Sequence, residues 1–348
     1  ISNHQEVSMK TFMSLFCVVA LSASVVQAKI WTVDNNPGNS AADFTALSTA
    51  VSSGSVQAGD TIYVVGSALN YGATVTVTKK LYIFGPGYFL AENLDQQANT
   101  AAATITSYMA LNSGSEGSIV QGLTFTNSIQ INTSNITIRR NRLTTAFIST
   151  NSNLSNIIIV QNYLSYNYCC AATIQIGSNN TNIIISNNYV EVTNGGGGLT
   201  VPTGATVYVT NNIFKVNTGS AVGMNAATGS FDNNIIYSGS FSASSIVPRN
   251  NITSDTTFSS EQNGNKSGRS MATVFTLSGS PDAKWQLAAG SPAIGAGLSG
   301  EDCGMYGGNS PYVIAGLPPI PTVYFMSAPI SGSAAQGLPV TIKVKSHN

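Results

Sequence analysis

The chain has 348 residues, 14 Lys plus Arg against 14 Asp plus Glu, a formal net charge of zero and only 8% charged residues. Without a basic stripe, nucleic acid and anionic lipid are poor partners. The two histidines, His4 and His347, stand at the extremities, so a Ser-His-Asp or Cys-His arrangement has no histidine to draw on in between.

Residues 1–8 are read as non-native residues upstream of a start at Met9. From there a charged Lys10, an apolar core from Phe12 to Ala23 and a small-residue site ending at Ala28 make an export signal. The core is too short to span a membrane. The protein is therefore expected to be secreted or at the cell surface, with Lys29 as first mature residue, no lipid anchor on Cys17 and no membrane span.

Residues 29–90 read as a cap with the first coils. Asp43 is expected to N-cap a short amphipathic helix carrying Phe44, Leu47 and Val51 on one face and ended by Gly54. Strand-like runs follow: GDTIYVV at 59–65, ATVTV at 73–77 and KKLYIFGPG at 79–87.

Residues 91–317 carry a repeat. After a polar loop at 91–100, the run GSIVQGLTF at 117–125 resumes the coils, with Gly122 read as filling the place that asparagine holds later. The same unit then recurs as NITIRRNRL at 135–143, NIIIVQNYL at 156–164, NIIISNNYV at 182–190 and TVYVTNNIF at 206–214, with a degenerate copy through Asn234. Asn141, Asn162, Asn188 and Asn212 are spaced by 21, 26 and 24 residues, a solenoid period of roughly ten coils in all. Strand alternation sends two columns inward, Ile136/Ile157/Ile183/Val207 and Ile138/Ile159/Ile185/Val209. The repeated Asn141, Asn162, Asn188, Asn212 and Asn234 suit a stacked side-chain ladder at a bend between strands. Residues 254–269 are expected to leave the solenoid, and Phe275, Trp285 and the SPAIGAG run at 291–297 to form closing coils. Residues 318–348 read as a Pro-rich exit (Pro318, Pro319, Pro321) followed by two C-terminal strands.

The helix, the GDTIYV strand and the strand closing on Gly-Pro-Gly are similar to the N-terminal cap of pectin-lyase-like proteins, and the repeat resembles their right-handed parallel β-helix. The resemblance runs from about Trp31 to Gly308 and implies an all-β solenoid with a short N-terminal capping helix. Catalytic members of that superfamily carry paired Asp, His or Arg/Lys signatures on their exposed sheet, and those signatures cannot be placed here. Between Glu116 and Asp232 the only acidic residue is Glu191. Glycoside hydrolysis by two facing carboxylates and calcium-assisted lysis by a carboxylate cluster therefore lack their usual groups.

Glu191 falls in the column Thr144/Ser165/Glu191/Lys215, so an ion pair with Lys215 is its simplest explanation. The arginines Arg139, Arg140 and Arg142 sit beside Tyr163 and Tyr189, a combination suited to sugar rings. Arg139, Arg142, Tyr163, Tyr166 and Tyr189 are the candidate ligand-binding residues, with Tyr168 extending the aromatic patch. If the protein is an enzyme, Arg139, Arg142 and Glu191 are its candidate catalytic residues. The plainer reading is arginine stacked on tyrosine merely solubilising the face.

A second outward column, Thr137/Ile158/Ile184/Tyr208, is unusually apolar and calls for a cover from the loop near Ala91, the C-terminal strands or a second copy. The function expected is that of a secreted, non-catalytic surface or matrix protein that binds polysaccharide. The alternatives are a polysaccharide lyase or glycoside hydrolase, and a structural or adhesive protein that self-associates through Ile158, Ile184 and Tyr208 or the C-terminal strands. No cofactor and no metal are expected. Cys169, Cys170 and Cys303 form no disulfide framework and read as small buried residues.

Overall fold

Short β-branched strands that cannot stand alone become stable when each lies over its counterpart in the next coil. The computed structural model describes residues 28–168, 171–225 and 227–346, and there this stacking produces an all-β, right-handed parallel β-helix. The export signal, Cys169 and Cys170 lie outside the described residues. One nine-stranded sheet collects the first strand of every coil, from Ile30–Val33 through Ile136–Arg139, Ser155–Val160 and Thr181–Ser186 to Thr228–Asp232. The remaining strands form a fourteen-stranded sheet whose two flanks are joined by the long strand Ile213–Met224. The flank that follows each bend contains Arg142–Thr144, Tyr163–Tyr166 and Tyr189–Val192.

The inward columns are the expected ones. Ile136 pairs with Ile157, Ile157 with Ile183 and Ile183 with Val207, and Ile138, Ile159, Ile185 and Val209 stack beside them. All are fully buried, each contributing about 1.5–3 kcal/mol relative to exposure.

The bend between the two sheets shows a division of labour within each residue pair that precedes the second strand. The first residue is left-handed: Arg140 (φ 52°), Gln161 (58°), Asn187 (55°), Asn211 (56°), Asn233 (58°) and Asn250 (56°). The second is the ladder asparagine, pointing inward and fully buried. Asn162 Nδ2 donates to Asn188 Oδ1 (3.0 Å), Asn188 to Asn212 (3.0 Å) and Asn212 to Asn234 (3.0 Å). Each Oδ1 also accepts the backbone N–H of the preceding rung. The ladder runs further than expected, through Asn251 and Asn265. Asn265 falls within 254–269, so the segment read as an excursion continues the stack. Gly122 does not occupy a ladder position, because the register places it opposite Arg140, at the left-handed site, and Leu123 takes the first rung. Glycine is required there: its φ is 72°, and an added Cβ would lie 2.6 Å from the Gly85 carbonyl oxygen.

At the first coil, helix α1 (Leu47–Ser52) buries Leu47, Ala50 and Val51 over the open end. Asp43 is not its cap. The residue before the helix is Ala46, which makes no side-chain cap bond, and Asp43 instead accepts from Thr32 N (2.8 Å) and Thr32 Oγ1 (2.9 Å). It thereby satisfies an edge N–H of the first strand, which would otherwise offer a pairing site.

The segment read as closing coils adds none. After helix α2 (Met271–Val274) the chain turns back as a strap, and the left-handed residues hold it. Asn250 donates to Ala296 O (2.8 Å), Asn233 to Glu301 Oε1 (2.7 Å), Asn211 to Asp302 O (3.0 Å), Asn187 to Gly307 O (2.8 Å), Gln161 to Pro311 O (2.6 Å) and Arg140 to Leu317 O (2.8 Å). As coil number falls, strap number rises. Residues 296–317 therefore lie lengthwise across the bends and lace six coils together. Beyond the strap, Thr322–Ser327 and Thr341–Lys345 form an antiparallel hairpin.

Candidate functional site

The three arginines flank the left-handed bend, so they diverge. Arg139 points out of the nine-stranded sheet, its Nε donating to Gln121 Oε1 one coil back (2.5 Å). Arg140 is buried and bonds Gln161 Oε1 (2.8 Å) and the strap. Burial, then the neighbouring Arg139 charge, pulls its pKa down to about 10, so it stays protonated at neutral pH. Arg142 lies on the other sheet with its guanidinium 4.4 Å from the centre of the Phe89 ring. Arg139 and Arg142 thus serve different faces and do not form one cluster.

The column Arg142, Tyr163 and Tyr189 exists in the expected register, but it is roofed. Tyr163 and Tyr189 are stacked (4.6 Å between ring centres), Trp285 of the returning segment stacks on Tyr189 (4.6 Å), and Phe89 meets Tyr163 edge-on (5.0 Å). Tyr163 is 5% exposed and Tyr189 not at all. Burial raises both phenol pKa values. Tyr166 is also buried, facing inward against the solenoid core, while Tyr168 is exposed. The expected aromatic platform is therefore corrected: its rings are packing for the returning segment and offer no surface to a ligand.

The roof is pinned at Asp282, which is fully buried. Its Oδ1 accepts from Asn93 Nδ2 (3.0 Å), Ser280 Oγ (2.8 Å) and Ala283 N (3.1 Å), and its Oδ2 from Ala315 N (2.7 Å) and Tyr312 OH (3.3 Å). Tyr312 in turn shares a hydrogen bond with Tyr88 (2.7 Å). Cys303, within the strap, is a buried free thiol, its pKa pushed up to about 12 by burial.

Glu191 pairs with Lys215 one coil on, at 2.7 Å. Such a partly exposed pair is worth about 0.2–1 kcal/mol. Arg139, on the opposite sheet, shares no site with it.

What remains partly open is the outer face of the nine-stranded sheet, two side chains wide, in which only Gln121, Ser186 and Asp232 are buried. One column reads Thr61, Tyr82, Ile119, Thr137, Ile158, Ile184 and Tyr208, and the other Tyr63, Phe84, Gln121, Arg139, Val160, Ser186, Thr210 and Asp232. Tyr208 is 41% exposed and Ile158 and Ile184 are half-buried, so neither the loop near Ala91 nor the C-terminal strands cover these coils. It is present only at the first ones, where the C-terminal hairpin faces Tyr63 and Phe84. At the far end a polar cleft of about 310 Å³ is lined by Asp232 and Glu301 among others. Both carboxylates are engaged there: Arg249 holds Asp232 through Nε (2.9 Å) and Nη2 (2.7 Å), and Glu301 accepts from Asn233 (2.7 Å) and Ser299 N (2.8 Å). Among the described residues no group of three or more His, Cys, Asp or Glu could hold a metal ion, and no helix is long and apolar enough to cross a membrane.

No protein-family model matches the sequence, and no curated protein matches it either. Among solved structures, the crystal structure of pectate lyase Pel9A is similar, at 14% identity and a TM-score of 0.39, over 82% of this chain and 98% of that one.

Proposed function

We propose that this chain is an extracellular, non-catalytic protein that binds polysaccharide lengthwise along the outer face of the nine-stranded sheet. One observation carries the reading: with the other sheet's aromatic column closed by the returning segment, this face is left open along its first column and, in its second, at Tyr63, Phe84, Arg139, Val160 and Thr210. At about 4.8 Å per strand it is roughly 40 Å long, with Tyr63, Tyr82 and Phe84 near one end, Arg139 midway and Tyr208 beyond. Aromatic rings offer an apolar face and, in tyrosine, a polar tip. The arginine fork adds directional donors for sugar hydroxyls or carboxylates. Glu191, Asp232 and Glu301 are each engaged by a cation or an amide, which supports binding over turnover by these three carboxylates.

A second reading, self-association through the same face, is favoured by the half-buried Ile158 and Ile184 beside exposed Tyr208. The chain beginning at Lys29, incubated with a panel of acidic and neutral polysaccharides, is expected to be retained on at least one insoluble polymer without depolymerising any. Arg139→Ala should weaken retention roughly tenfold, the equivalent of one charge-assisted hydrogen bond, and Arg142→Ala should leave it unchanged. Cleavage of any polymer would refute the non-catalytic reading. Failure to bind, combined with concentration-dependent dimers in sedimentation, would leave self-association in its place.

A further inference from the structure

The C-terminal hairpin does not lie flat on the solenoid. Ala98 N donates to Val323 O (2.8 Å), Thr322 Oγ1 to Gln96 O (3.3 Å) and Lys345 Nζ to Gln96 Oε1 (3.0 Å). The entry is stiffened by Pro318, Pro319 and Pro321. The strand Thr322–Ser327 is thereby held off the first coils, and an open cleft of about 920 Å³ lies between them. That volume is within the usual span of small-molecule sites, about 300–1,000 Å³.

Its floor is Tyr63 and Phe84, opposite one another in adjacent coils. Its walls are Ile30 on one side and Pro321, Val323 and Met326 of the hairpin on the other. The rim amides are already fixed: Gln97 Nε2 donates to Pro86 O (2.5 Å) and Asn99 Nδ2 to Gly66 O (3.2 Å). None of the lining residues carries a formal charge at neutral pH. A carboxylate placed against Tyr63 and Phe84 would give up part of its hydration to apolar rings and meet no charged lining residue, Lys345 being held at Gln96 outside the lining. Tyr63 and Phe84 stand on the same sheet face as Arg139, two coils from it, with the buried Gln121 between them in the column.

We propose that this cleft is the tightest subsite of the open face, gripping an uncharged sugar ring between Tyr63, Phe84 and the hairpin, and that the polymer bound is therefore a neutral glycan. The proposal rests on the polysaccharide-binding reading and narrows it to a substrate class. An acidic polymer meets Arg139 favourably but has no partner at the cleft.

Calorimetric titration with cellohexaose, xylohexaose and mannohexaose, against hexagalacturonate as the acidic probe, tests it. At least one neutral hexamer is expected to bind at least tenfold more tightly than hexagalacturonate. Tyr63→Ala should weaken that neutral hexamer about tenfold, the loss of one aromatic stacking contact. Met326→Arg should weaken it at least as much; Met326 is 64% exposed, so a loss there is not a folding defect. Equal or tighter binding of hexagalacturonate, or unchanged neutral binding in both variants, would overturn the cleft assignment while retention on polymer stood. Retention on a polymer with no hexamer bound would do the same. If the parent protein bound neither hexamers nor any polymer, the underlying reading would fall with it.

Discussion

Asn188→Ala is expected to cost about 3–6 kcal/mol in a urea titration followed by circular dichroism, a large share of the 5–15 kcal/mol that holds a typical domain. The side chain removed is fully buried and makes four bonds. It accepts from Asn162 N (2.9 Å) and Asn162 Nδ2 (3.0 Å), and donates to Ile159 O (2.8 Å) and Asn212 Oδ1 (3.0 Å). Alanine leaves at least two of those partners buried and unpaired, at about 1–3 kcal/mol each, and no water can reach them through the stacked isoleucine columns. Because a solenoid is held by nearest-neighbour contacts, a broken middle rung divides the stack. Asn265→Ala, at the last rung, should only fray the final coil. The first rung shows the same asymmetry natively: Leu123 stands there, where only its backbone N–H is needed, donated to Asn141 Oδ1 (3.1 Å). A loss below about 1 kcal/mol for Asn188→Ala would mean that the ladder is ornamental to stability.

Asp282→Ala should detach the returning segment while the coils survive. The carboxyl group gathers five donors from three separate parts of the chain: the loop at Asn93, its own turn at Ser280 and Ala283, and the strap at Tyr312 and Ala315. Deleting it strands them in a dry aromatic interior, again about 3–6 kcal/mol in total. The expected signs are a red-shifted Trp285 emission and new proteolytic cuts within 271–317, with far-ultraviolet circular dichroism nearly unchanged. Asp282→Asn keeps one acceptor oxygen and should lose roughly half as much. If both variants keep buried Trp285 emission and protease resistance, Asp282 is not the pin of the roof.

The inward columns were legible in the sequence because β-branched residues at every second position can face only one way. The ladder was legible because an asparagine recurred at a fixed offset from each run. Its last rungs were hidden by spacing: Asn234, Asn251 and Asn265 are only 17 and 14 residues apart, since the closing coils lose their longer excursions. The repeated pair Asn251 with Asn250 before it was the available signal. The strap was not legible. Its anchors, Arg140, Gln161, Asn187, Asn211, Asn233 and Asn250, read as polar neighbours of the ladder. Only the left-handed backbone separates their outward amides from the inward ones. A row of strong donors in successive coils does imply something running along it, but nothing local says that the partner is a segment 46 to 177 residues away. The same strap removed Tyr163 and Tyr189 from the candidate binding face. Asp43 misled for a related reason, as the edge strand it serves competes with the helix for the same carboxylate.

Binding along the outer face of the nine-stranded sheet is the central claim, and tyrosine nitration read by mass spectrometry, with and without the retained polysaccharide, tests it directly. Tyr82 and Tyr208 are expected to react in the free protein and to be shielded by the polymer, while Tyr88, Tyr163, Tyr189 and Tyr312 stay unreacted in both states. Reaction of Tyr163 or Tyr189 in the free protein, suppressed by the polymer while Tyr82 and Tyr208 are unaffected, would place the ligand under the strap and contradict it.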